Sequence, residues 1–346
     1  MRFNSVHLEA IGYALPPNVV SSASLEQRLA SVYSAMYLQV GQLEALTGIR
    51  ERRYWNPGTT MAAGATLAAR DALEKSNIDV ADIGAVVYGG VCHDLLEPAN
   101  ACAVADAIGV RSNTQVFDVS NACLGVMNGI VQVASAIELG QMRAGLVVSC
   151  ESARQIVDLT IDRLQDVRDM ETLRLQLATL TGGSGAIAVM VCHKDLAPQG
   201  HRLLAGAMRT RPEHHELCRW FPAESEPGGK PTYMLTDAGK VMEHGVDLGE
   251  ETFHALLETF GWRVEDIDRT ICHQVGGPHR EAVLKRLGIP LERDFVTYEY
   301  LGNIGTVSLP ITAAIADERG FLEKGQRVAF CGIGSGLNCL MLGVEW

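Results

Sequence analysis

Residues 117–129 read FDVSNACLGVMNG, and the fold turns on how that stretch divides. Residues 115–119, QVFDV, are a short run with β-branched and aromatic side chains, as in a strand. From Leu124 to Leu139 the chain is rich in Ala, Val and Ile, spaced as in a helix. A strand running directly into a helix places Cys123 at the helix start. Free backbone N–H groups and the positive end of the macrodipole there lower a thiol's pKa and stabilise its thiolate. From this segment alone the other reading, a small buried hydrophobe, stays open.

The same alternation spreads outward. Strands are expected at 83–88, 145–150 and 186–192, separated by Ala-rich helices at 60–76 and 98–108. Beyond residue 200 the rhythm returns, with strands at 203–208, 270–272, 295–297, 328–331 and 339–344 and helices at 250–260, 279–287 and 310–319. This predicts an α/β protein of two similar halves, 1–195 carrying Cys123 and 196–346. Residues 152–180, with Leu, Ile and Val at helical spacing, predict one or two amphipathic helices. They serve either as a surface cover or dimer contact, or as the wall of a hydrophobic channel. A polar stretch follows at 213–237.

The composition suits such a fold. The 346 residues are 47% hydrophobic but 6% aromatic, with 35 glycines, so the core rests on small and aliphatic side chains packed closely. A net charge of −12 argues against nucleic acid as the main partner. The N-terminus lacks a signal-peptide pattern, and no apolar run is long enough to span a membrane. Nine cysteines at irregular spacings indicate reduced thiols and a cytoplasmic protein. With no CxxC and no HExxH, no metal site is expected. Cys150, Cys192, Cys272, Cys331 and Cys339 lie in strand runs and Cys102 in a helix, so these read as core; Cys92 and Cys218 lie in loops with no assigned task.

Three further segments carry polar groups at strand ends or in glycine-punctuated loops. His273 closes a strand and opens HQVGGPH, where an imidazole can donate a hydrogen bond or exchange a proton; a satisfied structural histidine is the other reading, and the one given to His279. Asn303 lies in YLGNIGTVSLP, its amide either a turn-former or a donor beside the histidine. Ser335 lies in GIGSGLN, residues 332–338, a loop between strands that can aim N–H groups at a developing oxyanion. Neither this loop nor TGGSG at 181–185 leads into a helix, so neither is a dinucleotide loop.

Together these motifs resemble the thiolase superfamily over nearly the whole chain, and within it β-ketoacyl-ACP synthase III and its relatives. The resemblance implies a thiolase fold, two duplicated α/β halves in a layered α-β-α-β-α core. It also implies that Cys123 carries the acyl group, that His273 and Asn303 hold the second thioester's oxygen, and that the backbone N–H groups of Cys123 and Ser335 hold the acyl-enzyme oxyanion. DVSNACLGVMNG, HQVGGPH and GIGSGLNC are most similar to the acyl-CoA condensing thiolases of bacterial long-chain olefin synthesis. In that branch the glutamate of a Leu-Glu-Pro tripeptide, here Glu97, reaches the neighbouring subunit's site as the base that removes an α-proton. From the residues alone, Glu97 before Pro98 also reads as a carboxylate complementing a helix start. The departure of residues 274–278 from the synthase III pattern of Gln-Ala-Asn weakens a role in ordinary fatty acid initiation.

The implied activity is non-decarboxylative Claisen condensation of two acyl-CoA thioesters by a homodimer, with CoA thioesters as substrates and no cofactor. Decarboxylative synthesis with malonyl-ACP, acyl transfer to a hydroxyl or amine, and a non-enzymatic binding module are the alternatives. The net charge opposes an acidic carrier protein and favours CoA as donor.

Overall fold

A computed structural model describes residues 1–221 and 233–346. The chain begins with β1 (Val6–Ala14) and β2 (Asn18–Ser21), then α1 (Ser22–Arg28), α2 (Ala30–Ala35) and α3 (Gln42–Thr47), then β3 (Glu51–Tyr54), which pairs with β2. There follow α4 (Met61–Lys75), β4 (Ile83–Gly89), α5 (Asn100–Ile108), β5 (Gln115–Val119), α6 (Gly125–Glu138) and β6 (Ala144–Glu151). Helices α7 (Arg154–Leu164) and α8 (Met170–Leu177) precede β7 (Gly185–His193). Next come β8 (His201–Thr210), the pair β9 (Cys218–Phe221) and β10 (Tyr233–Thr236), and α9 (Ala238–Phe260). The chain ends with β11 (Arg269–Cys272), α10 (Gly277–Leu287), α11 (Tyr298–Leu301), α12 (Ser308–Glu318), β12 (Arg327–Gly334) and β13 (Asn338–Glu345).

Nine strands form one sheet in the order β11-β12-β13-β8-β1-β7-β6-β4-β5. The two sides repeat one pattern. A parallel pair (β4 with β6, β11 with β12) leads to an antiparallel neighbour (β7, β13), which pairs with the first strand of its group (β1, β8). This is the duplicated α/β architecture expected. The groups meet where β1 and β8 share two residue pairs, His7 with Arg202 and Leu8 with His201.

Side-chain alternation along the strands separates the layers. On β7, Ile187, Val189 and Val191 face the central layer containing α6 and α12, while Ala186, Ala188, Met190 and Cys192 face the outer layer with α4 and α5. On the other side α9 and α10 cover Ala329, Cys331, Cys339 and Met341. Helix α12 is buried from Ser308 to Ala316, as a helix between two sheet faces must be. Helix α6 lies so close to the sheet that a Cβ at Gly129 would fall 2.6 Å from Val147 Cγ1. Helix α4 takes the predicted span, Thr60 capping it by accepting from the Ala63 N–H at 3.1 Å.

Three expectations need correction. Residues 295–297 form no strand: Asp294 makes a single bridge to Thr270, and the Thr297 and Tyr298 N–H groups donate to Gln274 Oε1 instead of to a ladder. Helix α9 starts at Ala238 rather than 250, because packing outweighs the low helix propensity of Gly239, Gly245 and Gly249. Cys102 is exposed on the outer side of α5 and is not a core residue. Residues 152–180 form two helices that pack on α1 and α2 but also wall the cavities described below. Of the polar stretch at 213–237, residues 222–232 lie outside the described residues. Among the described residues no helix is long and apolar enough to cross a membrane.

Candidate active site

Cys123 sits in a sharp elbow. After β5 the backbone passes through Ala122 at φ 45°, turns once in a short 3-10 segment and enters α6 at Gly125. A positive φ at a residue bearing a Cβ is strained and persists because the surroundings fix it. They do so here by side-chain bonds. Thr306 Oγ1 accepts from the Val126 N–H at 2.8 Å, satisfying one orphan donor of α6. Asn121 donates to Asn128 Oδ1 at 2.8 Å and accepts from Asn338 Nδ2 at 3.0 Å, and the latter also reaches the Ser335 carbonyl at 3.3 Å. The terminal loop is thereby laced to the elbow.

The electrostatics depart from the sequence expectation. The Cys123 thiol is pushed up rather than down, first by burial, then by the facing Cys218 and Glu151, with only a backbone hydrogen bond in opposition. The free enzyme therefore holds a thiol at Cys123.

His273 is carried by the end of β11, 6% exposed, with Nδ1 bonded to Ser308 Oγ at 2.6 Å. That contact at the start of α12 fixes the ring and leaves Nε2 for another partner. Burial, with a lesser contribution from His279, lowers its pKa to about 3, so the imidazole is neutral near pH 7. His279 also lines the cavity, its pKa lowered to about 4 by burial, and is not merely structural in placement. Asn303 Oδ1 accepts from the Gly305 N–H at 3.1 Å, which commits the carbonyl end of the amide and leaves Nδ2 as donor. Its backbone is held by Thr181 and Gly183.

Two cavities, about 700 Å³ and 360 Å³, meet at Cys123, Asn303 and Ser335, which line both. The larger runs past Glu151, Ile156 and Phe221; the smaller runs past His273, Val241 and Met242. Their walls are largely apolar, with α7 and α8 contributing Ile156 and Leu177, so the channel-wall reading of that segment holds. Cys92 and Cys218 also line the larger cavity. Among the described residues no His, Cys, Asp or Glu cluster is arranged to hold a metal ion.

Glu97 stands apart. It is exposed, lines neither cavity of its own chain, and follows the fully exposed Leu96. Nor does it complement a helix start. α5 begins at Asn100, and its first N–H groups, of Asn100 and Ala101, donate to Asp118 at 2.8 and 3.0 Å. Glu151, 5% exposed and near Cys123, and the Asn121–Asn338 lacing are site features that the sequence motifs do not mark. A carboxylate closing an apolar strand was the available signal for the first; for the second there was none, since the bond spans 217 positions.

A thiolase-type layered fold, with a cysteine elbow where two apolar cavities meet, defines an acyltransferase of the thiolase superfamily. The family models that match are those of 3-oxoacyl-[acyl-carrier-protein] synthase III, over residues 117–212, and of its C-terminal part, over residues 257–346. Within that class the chain belongs to the acyl-CoA:acyl-CoA alkyltransferase family. It is 49% identical to the protein of that name from Shewanella oneidensis and 35% identical to that from Xanthomonas campestris, covering 100% of both chains in each case. Among solved structures it is similar to Xanthomonas campestris OleA, with a TM-score of 0.94 at 34% identity, covering 100% of this chain and 98% of that one. A Cys-to-Ser variant of that protein, solved with bound lauric acid and lauroyl-CoA, matches with a TM-score of 0.93 at 34% identity, covering 99% of this chain and 100% of that one.

Proposed function

We propose that the protein joins two acyl-CoA thioesters by non-decarboxylative Claisen condensation through an acyl-Cys123 intermediate. The meeting of two apolar cavities at Cys123 carries this reading, because a condensing enzyme must hold two acyl chains with their thioester ends together. In the first half-reaction the Cys123 sulfur attacks the thioester carbon, the N–H groups of Cys123 and Ser335 hold the oxyanion, and the thiol's proton leaves with CoA. In the second, Glu97 of the partner subunit takes an α-proton from a second acyl-CoA. Its enolate oxygen rests on His273 and the Asn303 amide; neutral His273 donates without adding charge. The carbanion attacks the acyl-Cys123 carbonyl, the C–S bond breaks, and a β-ketoacyl-CoA with an α-branch is released.

The exposed position of Glu97 supports a role in a partner's site rather than its own, and thus a homodimer. CoA is the favoured donor: net charge −12 opposes an acidic carrier, and a similar protein binds lauroyl-CoA. No resident cofactor is needed. Incubating the protein with acyl-CoAs, with and without malonyl-CoA or malonyl-ACP, and weighing products and the Cys123 peptide tests the scheme. A carbon–carbon product from acyl-CoA alone supports it; a product that forms only with a malonyl donor and carbon dioxide release assigns the decarboxylative reaction instead.

A further inference from the structure

Glu151 is a buried carboxylate to which the condensation scheme gives no task. On β6, Leu146, Val148 and Cys150 face the outer layer, so Glu151 turns to the opposite face, toward α6 and the Cys123 elbow. It lines the larger cavity. Its oxygens accept from consecutive backbone donors, Oε1 from the Val91 N–H at 2.9 Å and Oε2 from the Cys92 N–H at 3.3 Å. Those residues begin the segment that runs to Glu97. On the other side its stem meets the loop of Asn303, where a Cβ at Gly305 would lie 3.4 Å from Glu151 Cγ. One side chain therefore touches both loops on which the second half-reaction depends.

The geometry points to Glu151 as a positioning residue that ties the loop leading to Glu97 to the loop presenting Asn303. On each subunit it thereby holds the base that the subunit lends to its partner at a fixed offset from the subunit's own enolate-oxygen site. This rests on the condensation proposed above. The titratable groups that feel Glu151 are Cys92 and His93 of the clamped loop, Tyr88 of β4, Cys150 next to it in the chain, and Cys123.

Glu151→Gln separates positioning from bulk. A carboxamide has one acceptor oxygen, so one of the two N–H groups meets an NH2 instead and the clamp opens. Acylation of Cys123 by a single acyl-CoA should stay within about 3-fold of the parent, while condensation falls about 10- to 100-fold. The pH midpoint for alkylation of Cys123 by iodoacetamide, read peptide by peptide, should move down because a facing negative charge is gone. Glu151→Asp keeps the charge and both oxygens on a shorter stem. It should condense at a rate between the two, with the parent's alkylation profile. Parental condensation in the Gln variant, or acylation lost in equal measure with condensation, overturns the assignment. If the Gln variant is not recovered folded, the Asp variant decides, and condensation at the parental rate overturns it. A parent that forms no carbon–carbon product sinks the condensation reading itself, and that control is read before any variant is compared.

Discussion

Replacing Cys123 by Ser exchanges a polarisable thiol for a hydroxyl that ionises far less readily, where the two cavities meet. Acyl transfer from acyl-CoA should fall at least about 100-fold, checked by the mass of the Cys123 peptide; retained transfer removes the nucleophile assignment. His273, buried, and His279, partly buried on the cavity wall, give a second test. Their pKa values are about 3 and about 4 against an ordinary 6.5, so the unfolded chain binds two protons that the folded chain refuses. Stability is complete above pH 6.5 and falls as pH drops toward 4, by about 1.4 kcal/mol per histidine per pH unit. Glu151 and Asp294, raised by burial, take protons sooner in the folded chain and offset part of that loss. The melting temperature should therefore drop between about pH 7 and about pH 5, and drop less in His279→Gln; an equal drop in that variant would contradict the buried-neutral assignment. Cys123, His273, Asn303 and Ser335 were legible because each ends a strand, opens a helix or sits between glycines. Glu151 also ends a strand, but a carboxylate there reads as solvated until the sheet is seen to fold over α6. The sign of the Cys123 shift was out of reach for the same reason, since desolvation is a property of the assembled chamber.

At the scale of elements, α5 and α6 position the chemistry through their N-termini. Asp118→Ala removes both acceptors from the start of α5 and should cost about 1–2 kcal/mol, seen as a lowered denaturant midpoint. Gly129→Val forces a branched side chain onto Val147 across a tight contact between α6 and β6 and should cost about 1–3 kcal/mol or prevent folding. A parental midpoint in either variant would refute the packing described. Helices and buried strands with clean periodicity were readable from the chain, as α4 and β5 illustrate. The short pairs β2 with β3 and β9 with β10 were not, because strands of four residues are too short to show a period. Residues 295–297 mislead in the other direction: their β-like composition is real, but Asp294 and Gln274 side chains take the hydrogen bonds a strand would need.

At the scale of the whole molecule, the proposal that a second subunit supplies the base makes a sharp prediction. Chains carrying Cys123→Ala and chains carrying Glu97→Ala should each be unable to condense, yet after dissociation and random reassociation they should recover about a quarter of parental activity. Half of the dimers are then mixed, and one of their two sites is intact. No recovery, with mixed dimers verified, would place the base elsewhere. One further consequence belongs to synthesis. β1 is the stitch of the sheet, pairing with β7 from Val6 to Ala14 and touching β8 at His7 and Leu8. β1 thus has no strand partner until the chain has been made through β7, and it waits as an unpaired ribbon. A chaperone that holds nascent β1, or slowed translation around β7, should raise the yield of folded protein in cells.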